Sequence, residues 1–380
     1  MPNAYVTRAA TFLPNESISN QEMEQYLGYI HEKPSKTRAI VLRNNRIRER
    51  YYALTRDGVV THTNAQMASL AIRQLFQGSG SELRAMDLLA CGTSSPDQLM
   101  PSHAVMVHGW LPETDNIEVV SAAGVCCSGM HAFKYATQAV RLGDKRRAVA
   151  CASERLSTVL RAEHFEEEVK HTIALENNPY LAFEKDFLRW MLSDGAGAVL
   201  VEPEPAASGP SLRVEWIQGV SYANQVEPCM FMGAVKLPDG SLKSYKDHSP
   251  GELSEKSVFA IKQDVRLLSE KIVKLGFDKL KEIMTGRELA ATDVDHFLPH
   301  MSSHFFENKM DEYMHEIGIP IPKERWFTNL ATKGNVGAAS IYLMLADLMG
   351  SGRLRAGEKI LLAVPESGRF SYVYALLTVV

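Results

Sequence analysis

A segment in the first half of the chain recurs in the second half. Residues 141–154 (RLGDKRRAVACASE) and 353–366 (RLRAGEKILLAVPE) both begin with Arg-Leu, run through a polar turn into an apolar strand, and end in glutamate. A helix with a small-residue start precedes each copy, GVCCSG in the first and GNVGAAS in the second. The repeat predicts two related α/β halves that carry functional residues at equivalent turns.

Composition narrows the class of protein. Apolar residues make up 45% of the 380 residues and charged residues 23%, the balance of a folded protein. A net charge of −4 argues against a broad nucleic-acid-binding surface. No apolar run approaches the roughly 20 residues that cross a bilayer, and the N-terminus lacks an export signal. Five cysteines, two of them adjacent, indicate reduced thiols. We therefore expect a cytoplasmic globular protein.

Helical periodicity alternates with short β-rich runs, which is typical of layered α/β folds. The run PEPAASGP at 203–210 is the best linker, because its prolines interrupt regular structure. We predict a helix at 61–77 and strands at 117–121, 148–153, 360–364 and 372–380.

A cysteine pair begins the helix that follows the predicted strand 117–121. A thiol there lies beside free N–H groups and the positive end of the helix dipole, which lower its pKa. Such a thiolate suits covalent acyl capture, although a buried cysteine that fills core space is the commoner role. Cys126 and Cys127 would point about 100° apart, so we expect one of them to face a pocket.

A histidine could assist such a thiol. His300 stands where a predicted strand ends, just after Pro299. His296 and His304 share its i, i+4 spacing, which can chelate a metal on a helix, but Pro299 argues against one continuous helix. Metal binding is therefore not expected.

Asn335 begins the small-residue turn of the second repeat. Taken alone it could be an ordinary turn or N-cap residue. Its place opposite the cysteine turn in the repeat favours a functional role.

These motifs together resemble the thiolase superfamily, and within it the ketoacyl-carrier-protein synthase III group, over nearly the whole chain. Residues 123–133 (AGVCCSGMHAF) are similar to the family's nucleophile motif AAACAGF, and residues 192–201 (LSDGAGAVLV) to GDGAGAVVL. Residues 299–300 match the start of PHQAN, and 334–335 match the start of a GN-T-S-A-A-S motif. In this alignment the nucleophile is Cys127 and not Cys126.

The resemblance implies an α/β, thiolase-like, five-layered αβαβα fold of two pseudo-repeated halves. The N-terminal half would span 1–203 with a helical cap at about 155–190, and the C-terminal half 210–380. A homodimer is implied, in which Met100 lines the partner's acyl pocket.

The resemblance also implies a mechanism. Cys127 would take an acyl group from an acyl carrier protein or coenzyme A thioester, with backbone N–H groups holding the oxyanion. His300 and Asn335 would stabilise the enolate of the second substrate, which attacks the acyl-enzyme. No metal or other cofactor is implied. Ser303 replaces the second asparagine of the family motif and is expected at the substrate site.

Departures from the family pattern look most like the ketosynthase/cyclases of bacterial dialkylresorcinol and stilbene pathways. Those enzymes join a β-ketoacyl thioester to an α,β-unsaturated acyl thioester by Claisen condensation and Michael addition, which closes a cyclohexane-1,3-dione ring. Glu154 would then be an extra acid/base, or else a structural carboxylate.

Four alternatives remain open at this point. The nearest is a decarboxylating 3-oxoacyl synthase III that uses malonyl-carrier protein. The others are an acyltransferase to an alcohol or amine, a non-catalytic partner subunit and a hydrolase.

Overall fold

The computed structural model describes residues 2–30, 34–35, 38–165 and 188–380. Nine of the described strands form one sheet, and six shorter ones pair in twos at its margins. The strands are β1 (Tyr5–Phe12), β2 (Ile18–Ser19), β3 (Glu49–Arg50), β4 (Leu88–Thr93), β5 (Glu118–Ala123), β6 (Ala148–Glu154), β7 (Gly195–Glu202), β8 (Leu212–Ser221), β9 (Met230–Phe231), β10 (Ala234–Lys236), β11 (Leu242–Ser244), β12 (Lys262–Gln263), β13 (His296–Pro299), β14 (Lys359–Glu366) and β15 (Ser371–Val379).

Helices cover both faces of the large sheet. The described α-helices are α1 (Met23–Leu27), α2 (Arg38–Asn45), α3 (Asn64–Leu75), α4 (Gly80–Arg84), α5 (His103–Gly109), α6 (Cys127–Arg141), α7 (Pro250–Glu255), α8 (Val265–Gly286), α9 (Phe305–Glu316), α10 (Leu330–Lys333) and α11 (Ser340–Gly350). Short 3₁₀ turns lie at Ser157–Leu160, Ala162–His164, Tyr245–Asp247, Ala291–Asp293, Lys323–Arg325 and Gly337–Ala339.

The strand order of the large sheet is β13-β14-β15-β8-β1-β7-β6-β4-β5. In one half, β4 pairs in parallel with β5 and β6, and β7 returns antiparallel to β6. In the other, β14 pairs in parallel with β13, and β15 returns antiparallel to β14. The two halves meet where β1 pairs with β8. Each half therefore has a parallel strand pair followed by an antiparallel strand, as the sequence repeat predicts.

Three packed cores show the layers. One core joins α3 and α5 to one half of the sheet, and another joins α8 and α9 to the other half. The core between them contains α6 and α11 with strands of both halves. The layers are, in order, α3 with α5, the first half of the sheet, α6 with α11, the second half of the sheet, and α8 with α9. This order confirms the predicted αβαβα arrangement.

A glycine allows the two central helices to approach closely. A Cβ at Gly129 in α6 would lie 2.5 Å from the carbonyl oxygen of Ala338, just before α11. The hydroxyl of Tyr342 donates to the Gly129 carbonyl oxygen at 2.8 Å. The starts of α6 and α11, which carry the candidate site residues, are therefore in direct contact.

The predicted elements lie where expected, with ends moved by a few residues. The helix predicted at 61–77 spans Asn64–Leu75, because Thr63 and Gln66 form a capping box that sets its first turn. The predicted linker 203–210 is the loop between β7 and β8.

Two predictions about organisation stay predictions. The division into halves at 203 and 210 is one of them. The other is the helical cap at 155–190, of which residues 166–187 lie outside the described part of the chain. Among the described helices, none is both long and apolar enough to cross a bilayer.

Candidate active site

The two adjacent cysteines occupy different environments. Cys126 is the N-cap residue of α6 and is 8% exposed, whereas Cys127 begins the helix and is 0% exposed. The Cys127 thiol donates to the carbonyl oxygen of Val364 at 3.3 Å, inside the central core. Cys126 lines two cavities. The Cys127 side chain therefore points into the core and the Cys126 side chain toward the cavities, because one residue along a helix start turns the side chain by about 100°. The assignment of Cys127 as the nucleophile stays a prediction.

The first cavity lies between β14, β15 and the helices α8 and α9, and it holds about 640 Å³ of open space. Its wall is mostly aliphatic and aromatic. Beyond Cys126 and His300, it is lined by Leu268, Ile272, Val273, Gly276, Phe277, Met301, Ser302, Phe306, Met310, Ala363, Pro365, Ser367, Tyr372 and Tyr374.

The second cavity opens on the other side of Cys126 and holds about 450 Å³. Beyond Cys126 and Asn335, it is lined by Ser94, Val125, Leu156, Leu188, Met191, Leu192, Met230, Ile261, Gln263, Ser302, Gly337 and Ser367. Cys126, Ser302 and Ser367 line both cavities, so the two spaces meet at the Cys126 thiol.

His300 stands at the end of β13 on the wall of the first cavity. Its backbone N–H donates to the carbonyl oxygen of Ala363 at 2.8 Å, which extends the parallel pairing of β13 with β14 and fixes the residue. Burial lowers the pKa of the imidazole to about 4. The ring is therefore neutral near pH 7 and offers one donor and one acceptor nitrogen.

Asn335 reaches the second cavity from the turn before α11. Its backbone bridges to Met191 and Ser193, and its side-chain oxygen accepts from the Gly337 N–H at 3.0 Å. The amide nitrogen at the opposite end of that group has no hydrogen-bond partner among the described residues. A donor is thus available beside the cavity that Cys126 also lines.

Glu154 is fully buried at the end of β6 and lines neither cavity. Its carboxylate accepts hydrogen bonds from the backbone N–H groups of Ser94 (3.0 Å) and Ala338 (3.2 Å). It also accepts hydrogen bonds from the side-chain hydroxyls of Thr93, Ser94 and Ser95. Burial raises the pKa of the carboxyl group, and these hydrogen bonds oppose the rise. The arrangement fits the structural interpretation of Glu154 rather than an acid/base at the substrate.

Two other predicted site residues lie away from the cavities. Ser303 is buried, and its hydroxyl accepts from the Phe305 N–H at 3.1 Å, so it supports the start of α9. Its neighbour Ser302 lines both cavities instead. The assignment of Ser303 as a substrate contact stays a prediction. Met100 is 85% exposed on the loop before α5 and is not among the described residues that line these two cavities.

Glu366 is a site residue that sequence reasoning did not single out. Its Oε2 accepts the backbone N–H groups of Val125 at 3.0 Å and Cys127 at 3.1 Å. The Cys127 N–H, expected to hold an oxyanion, is therefore occupied. The sequence signal was the repeat itself, which puts Glu366 in the place that Glu154 takes in the first half.

The thiols do not have the lowered pKa that a helix start alone predicts. Burial raises the pKa of both Cys126 and Cys127, and the negative charge of Glu366 adds to the rise. Desolvation outweighs the helix dipole here. The resting Cys126 side chain is accordingly a neutral thiol.

Comparison with known proteins agrees with this geometry. The family model for the C-terminal part of 3-oxoacyl-[acyl-carrier-protein] synthase III matches residues 284–373, and the model for the N-terminal domain of β-ketoacyl synthases matches residues 118–207. A β-ketoacyl-[acyl-carrier-protein] synthase III from Chlorobaculum tepidum is 25% identical over 94% of both chains. One from Streptococcus pyogenes is 22% identical over the same share.

Solved structures share the fold over nearly the whole chain. The tetronic acid condensing enzyme AbyA1 superimposes with a TM-score of 0.75 at 20% identity, covering 99% of each chain. OleA from Xanthomonas campestris gives a TM-score of 0.74 at 18% identity with the same coverage. The family models and the relatives thus show a chain that is similar to β-ketoacyl-[acyl-carrier-protein] synthases III over nearly its whole length, and this chain is a carbon–carbon bond-forming acyltransferase.

Proposed function

We propose that this enzyme joins a β-ketoacyl thioester to a second, α,β-unsaturated acyl thioester through an acyl-Cys126 intermediate. Claisen condensation and Michael addition then give a cyclohexane-1,3-dione, a precursor of dialkylresorcinols or stilbenes. The nucleophile is Cys126 rather than its neighbour, because Cys126 is the thiol that a substrate can reach.

One observation carries the proposal: two largely apolar cavities meet at one thiol. Leu268, Phe277 and Met310 are among the side chains of the first cavity. Leu188 and Ile261 are among those of the second. Two hydrocarbon chains can therefore lie on either side of Cys126, their carbonyl ends together. A malonyl unit is short and charged, and the described residues that line the two cavities include no lysine or arginine.

The first chemical step is transfer of an acyl group to sulfur. The Cys126 Sγ forms a bond to the thioester carbonyl carbon, the donor's carbon–sulfur bond breaks, and the thiol proton leaves with the departing thiol. The backbone N–H of Cys126 interacts with the sulfur of the same residue, so it can donate to the oxyanion that develops beside that sulfur.

The second step needs a carbanion. The β-ketoacyl thioester loses a proton from the carbon between its two carbonyls, and the resulting enolate oxygen carries the charge. Neutral His300 and the amide nitrogen of Asn335 are donors on the two sides of Cys126 that can stabilise this oxygen. In the Michael addition, the carbon between the two carbonyls bonds to the β-carbon of the enoyl group, and the enoyl α-carbon takes up a proton. In the Claisen condensation, the carbon on the other side of the ketone loses a proton and bonds to the acyl carbonyl carbon, the bond from that carbon to the Cys126 Sγ breaks, and the sulfur takes up a proton. The two protons lost from the β-ketoacyl carbons balance the two gained, and the two new bonds close the six-membered ring.

The acyl donors are thioesters of an acyl carrier protein or of coenzyme A in this proposal. The relatives from Chlorobaculum and Streptococcus carry acyl carrier protein in their names, which supports such donors here. We further propose a homodimer in which Met100 lines the partner's site. The support for the dimer is that two adjacent apolar side chains, Leu99 (73% exposed) and Met100 (85% exposed), lie on the surface of the single chain. Adjacent exposed apolar side chains are typical of a surface that a partner covers.

The test combines a β-ketoacyl thioester with a 2-enoyl thioester, with and without malonyl thioester, and identifies products by mass spectrometry. We expect a cyclohexanedione without malonate from the wild type and from Cys127→Ala, and none from Cys126→Ala. Intact-protein mass spectrometry should show an acyl adduct on the first two proteins.

Two results would contradict the proposal. A linear product that requires malonyl thioester would move the chain to the ordinary decarboxylating synthases. An acyl adduct that survives in Cys126→Ala but not in Cys127→Ala would return the nucleophile to Cys127.

A further inference from the structure

Glu366 forms hydrogen bonds with the turn that carries Cys126. It ends β14, the strand that pairs with His300's strand, and Oε2 accepts the N–H groups of Val125 and Cys127. These two amides flank Cys126 in the chain. The carboxylate thereby fixes the backbone on both sides of Cys126 and leaves the N–H of Cys126 to its own thiol.

The second half of the molecule shows the reciprocal contact. Glu154 ends β6, the equivalent strand of the first half, and accepts the N–H of Ala338 in the turn that follows Asn335. A Cβ at Gly337 in that turn would lie 3.0 Å from the Glu154 carboxylate. Each half thus supplies a strand-end carboxylate that bonds to the site-bearing turn of the other half.

The local backbone explains why such a contact is needed. Gly124 has φ of 154°, so the chain leaves β5 in a conformation that side chains rarely adopt. The helix begins three residues later, and its first N–H groups have no partners within the helix. A carboxylate that accepts two of them stabilises this turn in one conformation.

We propose that Glu366 is a positioning residue for the nucleophile, fixing the Val125–Cys127 turn so that the Cys126 thiol faces the junction of the two cavities. Glu366 lines neither cavity, so it acts through Cys126 and not on the substrate. The proposal rests on the assignment of Cys126 as the acyl acceptor.

The contact also has an electrostatic consequence. The negative charge of Glu366 opposes ionisation of both thiols. The other titratable groups around Cys126 in the described residues include buried Glu154, which acts in the same direction. They also include Cys127, His300, His131 and the cavity-lining Tyr372 and Tyr374. Burial lowers the pKa of His300 and of His131, so neither imidazole supplies a positive charge near pH 7 to cancel the carboxylates.

The experiment separates the hydrogen bonds from the charge. Glu366→Gln keeps an oxygen that can accept both N–H groups but removes the charge, and Glu366→Ala removes both. Glu358→Gln is the matched control, since Glu358 precedes the same strand and pairs with His296 at its other end. Alkylation of the Cys126 peptide by iodoacetamide is measured against pH, and acyl-enzyme formation from an acyl thioester is measured at pH 7.

We expect the alkylation profile of Glu366→Gln to move about one pH unit lower, a roughly tenfold faster reaction on its lower limb. Acyl-enzyme formation should stay within about threefold of wild type in Glu366→Gln. In Glu366→Ala its maximal rate should fall more than about tenfold with little change in KM, because a misplaced nucleophile affects the chemical step. Glu358→Gln should match wild type in both assays.

A wild-type rate of acylation in Glu366→Ala would overturn the positioning role. Failure of Glu366→Gln to restore that rate would also overturn it, since the hydrogen bonds would then not suffice. An unshifted alkylation profile in Glu366→Gln would overturn the electrostatic part. These outcomes can be distinguished from failure of the proposed condensation. The alkylation rate of Cys126 measures the effect of Glu366 whatever product the enzyme makes.

Discussion

His300 is buried beside the first cavity, and its burial sets how the protein responds to acid. The folded-state pKa of about 4 lies below the ordinary value of 6.5, so the unfolded chain takes up the proton first. The free energy of unfolding is therefore highest above pH 6.5 and falls as the pH drops toward 4. We expect this histidine to remove about 2 kcal/mol of stability between pH 7 and pH 4.5.

Chemical denaturation of wild type and His300→Gln at both pH values measures this contribution. Buried His103, whose pKa is also about 4, is common to both proteins and cancels in the comparison. An equal loss of stability in the two proteins would show that His300 is already charged in the folded state.

Glu154 supports a second prediction at the residue scale, because its buried carboxylate accepts backbone N–H groups from Ser94 and Ala338. Glu154→Ala leaves both donors unpaired in the core, and we expect a loss of about 2–4 kcal/mol in the free energy of unfolding. Glu154→Gln keeps one acceptor oxygen and should lose less. Urea denaturation checks the order. A stable but inactive Glu154→Gln would instead support the acid/base role.

At the scale of elements, the contact between α6 and the start of α11 depends on Gly129. A Cβ there would lie 2.5 Å from the Ala338 carbonyl oxygen and 3.0 Å from the Ala152 Cβ. Gly129→Ala must push the two helix starts apart, so we expect a loss of about 1–3 kcal/mol in stability and a fall in acylation rate. Gly109→Ala at the end of α5 is the matched control, as its Cβ would meet nothing within 4 Å. Equal melting temperatures for the two variants would contradict the close contact.

The elements were the part of the structure that the sequence predicted best. The apolar runs at 148–153 and 360–364 form strands of the large sheet that are buried on both faces. A strand that is covered on both faces has a continuous apolar sequence, which is why these strands could be predicted. The internal repeat predicted two related halves and set the turn of Asn335 opposite the turn of Cys127.

Features that depend on one residue of register or on distant contacts were not predictable. The similarity of residues 123–133 to the family's nucleophile motif selected Cys127, whereas Cys126 is the cysteine that lines the cavities. Ser303 and Ser302 show the same one-residue difference. Glu366 contacts Val125 across more than 200 residues, and no local pattern reports such a contact.

At the scale of the whole molecule, the two halves of the fold bring two cavities to one thiol. The first cavity depends on α8 and α9 of the second half. The second cavity combines Leu156 and Leu188 of the first half with Ile261 and Asn335 of the second. If each cavity holds one acyl chain, then the lengths of the two chains are set by different walls and can be changed independently.

Met310 and Ile261 allow that independence to be tested, since Met310 lines the first cavity and Ile261 the second. We expect Met310→Trp to lower kcat/KM for long chains of one substrate by at least about tenfold and to spare short ones, because an overpacked site costs roughly 1–3 kcal/mol. Ile261→Trp should do the same for the other substrate. Competition between short and long thioesters, analysed by product mass, measures both. If each variant shortened both chains of the product equally, the two acyl groups would share one cavity in turn, and the arrangement proposed for the condensation would be wrong.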